Sequence, residues 1–287
     1  MKNVMTSDGV TLHISKSGQG IPCIFLHGGP GYWSYPFEQT GGPLLENFME
    51  MHYLDQRGCG RSSLAPEGDY SLRRLLLDLE EIRQELNIDK WIVMGHSFGG
   101  ILASNYTKQY PNSVLSLILI NCTLNKRESN LHQMNIGRKW LGKETVLDTY
   151  ESIESFYQDF FVMAEKLLEM GKYYDLQFID RKRHKIFEDL DKELKHRPDF
   201  RNYVHSSPEF FKDYTQITSE ISVPTLVISG TYDDAIGPDH YKKFKFPNMS
   251  IAILEAKHHP YLENQGEFKN VIRDFVLNMS LQKTIES

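Results

Sequence analysis

The sequence is poor in cysteine, with only Cys23, Cys59 and Cys122 among 287 residues. Three scattered thiols supply neither a disulfide framework nor a thiolate zinc site. Long apolar runs are also missing. The longest, VLSLILI at 114–120, falls far short of the roughly 20 residues that a membrane-spanning helix needs. The opening stretch MKNVMTSDGV has no apolar core of a secretory signal. There is no excess of positive charge either. The formal net charge is −6, which argues against a nucleic-acid partner. The one basic cluster, Arg181 to Lys185, is followed by Glu188, Asp189, Asp191 and Glu193 and reads as a salt-bridged helix face. These absences point to a cytoplasmic globular protein with neither a nucleic-acid nor a membrane partner. The composition, 40% hydrophobic and 24% charged, is ordinary for a folded chain of one large domain, or of a core with one insertion.

What the sequence does contain is alternation. Short apolar runs at 21–26 (IPCIFL), 51–55 (MHYLD), 91–95 (WIVMG), 114–120, 224–230 (PTLVISG) and 249–254 (MSIAIL) read as strands, the first of them buried. Helical patterns separate them. Ser71 is placed to cap a helix carrying Leu72, Leu75, Leu79, Ile82 and Leu86. Another helix follows WIVMG directly and should stop at Pro111, and a last one carries Phe268, Val271, Ile272, Phe275 and Val276. Strands alternating with helices imply a mostly parallel sheet with right-handed crossovers. Between about 123 and 215 the strand pattern stops. Helical spacing takes over, with Ile153, Phe156, Phe160 and Leu167, then Leu176, Ile179, Ile186, Leu190 and Leu194. The expected organisation is a core of 1–122 and 216–287 with a helical cap inserted at 123–215.

The chemistry lies in the turns. Gly95-His96-Ser97-Phe98-Gly99 fits G-x-S-x-G, with a strand before it and a helix after it. Such a turn strains the serine into a left-handed conformation and projects its hydroxyl, while the flanking glycines relieve crowding. A nucleophilic serine needs a base and a group that orients it. Asp233 follows the strand ending at Gly230, and the His258-His259 pair follows the next strand. Acid and histidine thus fall at the carboxyl edge of successive strands, where open α/β sheets put their sites. Spacing alone leaves the choice between His258 and His259 open. His27 and His96 read as structural or pocket-lining, and His240 as a surface residue in a helix after the acid. An acyl-transfer oxyanion requires two preorganised donors. The Phe98 amide is one, and the Gly29 amide in HGGPG (27–31) is the other candidate. No motif calls for a metal or an organic cofactor.

HGGPG at 27–31, DQRGCGRS at 55–62, GHSFGG at 95–100, the G-x-x-D of Gly230 to Asp233, and KHHPYLE at 257–263 occur in register. Together they resemble the proline iminopeptidase branch of the α/β-hydrolase superfamily. The resemblance spans nearly the whole core and is weak across the cap. It implies an α/β-hydrolase fold with Ser97 as nucleophile, Asp233 as orienting acid and His258 as base. His258 is favoured because related hydrolases read G-H-x-x-x-x-E here and Glu263 follows at that distance. Lys257 stands where the glycine is usual. Some members that release N-terminal residues hold the substrate ammonium with carboxylates, one directly after the triad acid and another in the cap. Asp234 stands at the first position, with a solvated turn residue as the competing reading, and Glu209 is a candidate for the second.

The leading expectation is therefore an aminopeptidase that releases N-terminal proline or another small residue from short peptides through an acyl-enzyme. Cap aromatics at Phe156, Tyr157, Phe160, Phe161, Tyr173 and Tyr174 are available to line its pocket. A second expectation keeps the triad and changes the substrate to a small carboxylic compound, cleaved by an esterase, lactonase or carbon–carbon bond hydrolase. The third is a ligand-binding receptor built on a hydrolase shell. Serine at 97 disfavours the aspartate-nucleophile hydrolases.

Overall fold

A computed structural model describes residues 2–195 and 197–286, without the side chains of 280–286. Eight strands form one sheet: β1 (Lys2–Met5), β2 (Thr11–Gly18), β3 (Ile21–Leu26), β4 (Met49–Leu54), β5 (Trp91–His96), β6 (Val114–Ile120), β7 (Thr225–Gly230) and β8 (Met249–Leu254). Their order across the sheet is β1-β2-β4-β3-β5-β6-β7-β8. The pairs β1–β2 and β2–β4 are antiparallel, and every other pairing is parallel. The six apolar runs of the sequence supply β3 to β8. The antiparallel pair at the amino end was not expected, because β2 buries His13 and Ser15 beside Leu12 and Ile14 and so breaks the apolar signature.

Nine helices are described: α1 (Tyr35–Thr40), α2 (Leu72–Glu85), α3 (Gly99–Gln109), α4 (Lys126–Trp140), α5 (Ile153–Glu169), α6 (Arg181–Leu190), α7 (Asp199–Ser206), α8 (Pro260–Glu263) and α9 (Gln265–Glu286). The Ser71 hydroxyl accepts the Arg74 N–H at 3.3 Å and starts α2. The proline at 111 lies two residues past the end of α3. Alternate residues of β3 point to opposite faces of the sheet. Ile24 and Leu26 pack with α2 and α3 through Leu75, Leu79 and Ile101. Cys23 and Phe25 pack on the other face with Phe37, Phe268 and Ile272 of α1 and α9.

Among the described residues, the chain between β6 and β7 contains α4 to α7 and no strand. Phe156, Phe160 and Leu167 of α5 pack with Met134 of α4 in a separate apolar cluster. In the second periodic set Leu176 is buried, but two positions are corrected. Ile179 and Ile186 are 54% and 41% exposed, and their neighbours Phe178 and Phe187 are the buried ones. The basic cluster opens α6, but Arg181 pairs ahead of it with Asp175 at 2.5 Å, and Arg183 donates to the Leu262 carbonyl. His184 faces Glu188, one of the expected acidic partners, at 3.3 Å and also stacks on the Tyr174 ring at 3.5 Å.

Candidate active site

The parallel strands end nearly level. Leu26 of β3 pairs with Gly95 of β5, His96 with Ile120 of β6, Ile120 with Ile228 of β7, and Gly230 with Leu254 of β8. The loops carrying Gly28, Ser97, Asn121, Asp233 and His258 therefore emerge along one edge.

Ser97 has φ 55, a conformation that costs a non-glycine residue on the order of 1–3 kcal/mol and must be held by its surroundings. The neighbouring strand and loop hold it. The Ser97 N–H donates to Ile120 O at 3.1 Å, and its carbonyl accepts N–H groups from Gly100 and Thr123 at 3.0 and 3.2 Å. Close packing also explains Gly28. A β-carbon there would lie 2.6 Å from Ser97 Cβ and 3.1 Å from His96 O.

His258 Nδ1–H donates to Asp233 Oδ2 at 3.0 Å. Both residues are buried. Asn121 Nδ2 donates to the same oxygen at 2.7 Å, while the Ala235 and Ile236 amides serve Oδ1 at 2.9 and 3.2 Å. Burial alone would push the Asp233 carboxyl up. The His258 ring, Asn121 and the Ala235 amide outweigh burial and hold it below the ordinary carboxylate value. His259 lies elsewhere, stacked on Phe178 at 4.6 Å with its Nδ1 facing the Tyr261 hydroxyl at 2.8 Å. Burial and the neighbouring histidines His258 and His96 drive its pKa well below normal. The geometry thus pairs the acid with His258. Ser97 and His258 line one cavity of about 530 Å³, together with Gly29 and Phe98.

Three residues that sequence reasoning left as background fix this edge. His96 Nε2–H donates to the His258 carbonyl at 3.0 Å; burial and then the nearby His258 push its pKa to about 3. His27 donates from Nδ1 to Gly28 O at 3.0 Å and accepts the Gln56 N–H on Nε2 at 3.1 Å. The turn after β4 is in turn anchored by Arg57 on Asp78 at 2.6 Å and by Asp55 on Arg61 at 2.7 Å. The DQRG turn therefore braces the HGGPG loop. Asn121 has φ 45 and carries no motif, so only the fold reveals it.

The two expected ammonium binders are not brought to the cavity. The Asp234 carboxylate pairs with Lys257 Nζ at 2.9 Å, so the residue standing in place of the usual glycine occupies it. Glu209 accepts the Tyr203 hydroxyl at 3.1 Å. Neither lines the cavity that holds Ser97. His240 requires a correction: it is 4% exposed, and its Nε2 accepts the Leu124 N–H at 3.0 Å. Of the expected aromatic lining, Phe160, Phe161, Tyr173 and Tyr174 reach the cavity, whereas Phe156 and Tyr157 do not. Glu263 closes the histidine loop, accepting the Lys257 and Ile179 amides at 2.6 Å each.

Residues 21–265 match the α/β-hydrolase fold family, and the chain belongs to it. The proline iminopeptidase of Heyndrickxia coagulans is 28% identical over 277 residues, covering 91% of this chain and 92% of that protein. Among solved structures, a proline iminopeptidase-related protein from Thermus thermophilus superposes with a TM-score of 0.81 at 19% identity, covering 97% of this chain and 98% of the other. An esterase from Exiguobacterium antarcticum superposes at 0.72 and 19% identity, covering 96% and 98%. The likeness to these solved structures is one of fold. No helix among the described residues is long and apolar enough to cross a membrane.

Proposed function

We propose that the chain is a serine hydrolase cleaving small acyl compounds through an acyl-enzyme on Ser97. The supporting observation is the Asp233–His258 hydrogen bond beside a cavity shared with a serine in the left-handed conformation. In this reading His258 takes the Ser97 proton as the hydroxyl attacks the substrate carbonyl. The Gly29 and Phe98 amides receive the oxyanion, each worth on the order of a hundredfold in rate. His258 then returns the proton to the leaving group, and water releases the acid by the reverse sequence.

Two substrate classes compete. The proline iminopeptidase relative, alignable over most of the chain, favours peptides with a free N-terminal residue. The engagement of Asp234 by Lys257, and of Glu209 by Tyr203, favours esters of small carboxylic acids, because neither carboxylate lines the cavity, and Asp191, which does line it, already accepts the Tyr32 hydroxyl and the Trp33 indole N–H. The ester reading is the one the geometry supports better. Purified protein and a Ser97→Ala control are offered prolyl- and alanyl-arylamides alongside short-chain aryl esters. Ester turnover that vanishes in the variant is expected. Arylamide cleavage exceeding ester cleavage would restore the aminopeptidase reading.

A further inference from the structure

Lys126 opens α4, directly after the loop that follows β6. It is 4% exposed, and among the described residues its Nζ has no hydrogen-bond partner. Its neighbours are all engaged. Arg127 pairs with Asp148 at 2.7 Å, and Glu128 with Lys243 at 2.7 Å. Ser129 donates to Thr123, and Asn130 to the Tyr157 hydroxyl. The contacts found for the Lys126 ammonium are aromatic faces, Tyr157 at 4.3 Å and Phe211 at 5.5 Å from the ring centres.

This arrangement is costly in three ways. A buried ammonium loses hydration that a cation–π contact only partly replaces. A helix amino terminus carries partial positive charge and repels a cation. Nearby His205 and Arg201 add no compensating negative charge. An anion at the same spot would remove all three penalties together.

The cavity supplies room for one. Lys126 lines it together with Ser97, Arg197 and Arg201. Among the described residues the only carboxylate lining it is Asp191, which already accepts the Tyr32 hydroxyl and the Trp33 indole N–H at 2.9 Å each. Thr123, whose N–H binds the Ser97 carbonyl, lies three residues before Lys126, so the two backbones are at most roughly 11 Å apart. We propose that Lys126 is an anion-recognition subsite of this cavity, selecting short substrates that carry a second, uncleaved carboxylate, such as half-esters of dicarboxylic acids. The proposal rests on the serine-hydrolase reading above only for its kinetic arm. Burial lowers the Lys126 pKa well below the ordinary amine value; an entering carboxylate acts in the opposite sense and favours the ammonium.

The test compares monoethyl succinate with ethyl isocaproate, in which an isopropyl group replaces the free carboxylate. In Lys126→Met the ratio of the two kcat/KM values, succinate half-ester over neutral ester, should fall on the order of 10- to 100-fold. Lys126→Arg, which keeps the cation, should retain most of the preference. A second arm measures succinate binding to Ser97→Ala by calorimetry, with loss expected when Lys126→Met is added. An unchanged kinetic ratio, or succinate binding indifferent to Lys126, would overturn the subsite while leaving the hydrolase standing. If neither ester is cleaved but succinate binding depends on Lys126, the subsite stands and the hydrolase reading is decided separately by the aryl-ester assay above.

Discussion

Asn121 and His258 share one oxygen. The Asn121 amide donates to Asp233 Oδ2 at 2.7 Å, and the His258 ring donates to the same atom at 3.0 Å. The amide both helps keep Asp233 ionised and fixes the direction in which its carboxylate faces the ring. Asn121→Gly removes the donor while accommodating the positive φ. A charge-assisted hydrogen bond is worth about 1.5–3 kcal/mol, so kcat/KM on aryl esters should fall at least about tenfold with the fold retained. A change within twofold would show that the backbone amides of 235 and 236 suffice.

His96 ties stability to pH. Its pKa is pushed to about 3 from an ordinary 6.5, first by burial, and His27 and His259 are lowered in the same direction. The unfolded chain therefore binds more protons than the folded one below about pH 6.5. Stability should be full above that value and decline as pH falls toward 3, by up to about 1.4 kcal/mol per pH unit for each such histidine. His96→Gln keeps a donor for the His258 carbonyl and does not titrate. Melting temperatures from pH 7 to pH 4 should fall less steeply in that variant than in the parent.

The parts of this molecule that follow a period or a motif were legible in the sequence. The six runs forming β3 to β8, the elbow at Ser97 and the helix cap at Ser71 each announce themselves locally. β2 did not, because its buried face includes His13 and Ser15. Ile186 misled because hydrophobic spacing in a short helix does not fix its rotation, and Ile179 because it lies in the bend before α6 rather than in a helix; Phe187 and Phe178 are buried instead. Asn121, Lys126 and His240 escaped for a shared reason. Each is polar at a position where polarity reads as exposure, and only tertiary contacts bury it.

Gly28 admits no side chain. With a β-carbon 2.6 Å from Ser97 Cβ and 3.1 Å from the His96 carbonyl, Gly28→Ala must displace the HGGPG loop or the elbow. Because a misplacement of about 1 Å costs on the order of a hundredfold in rate, kcat should drop by that order. The expected accompanying loss of stability is about 1–3 kcal/mol, read from chemical denaturation. Full activity in Gly28→Ala would mean that the loop is free to shift.

Asp234 distinguishes the two substrate classes. Its carboxylate is held by Lys257 at 2.9 Å and stands outside the Ser97 cavity. Asp234→Asn should therefore change KM for free-amine arylamides and for N-blocked esters alike, within about threefold, as expected for an ion pair outside the cavity. A selective rise in KM for the free amines would return this residue to ammonium recognition.

The central claim is that Ser97 is the nucleophile. A fluorophosphonate probe, followed by peptide mass spectrometry, tests it most directly. One covalent adduct is predicted on the peptide containing Ser97, absent in Ser97→Ala, with ester hydrolysis in that variant down by at least about 10⁴-fold. An adduct on another residue, or ester turnover that survives in Ser97→Ala, would contradict the account.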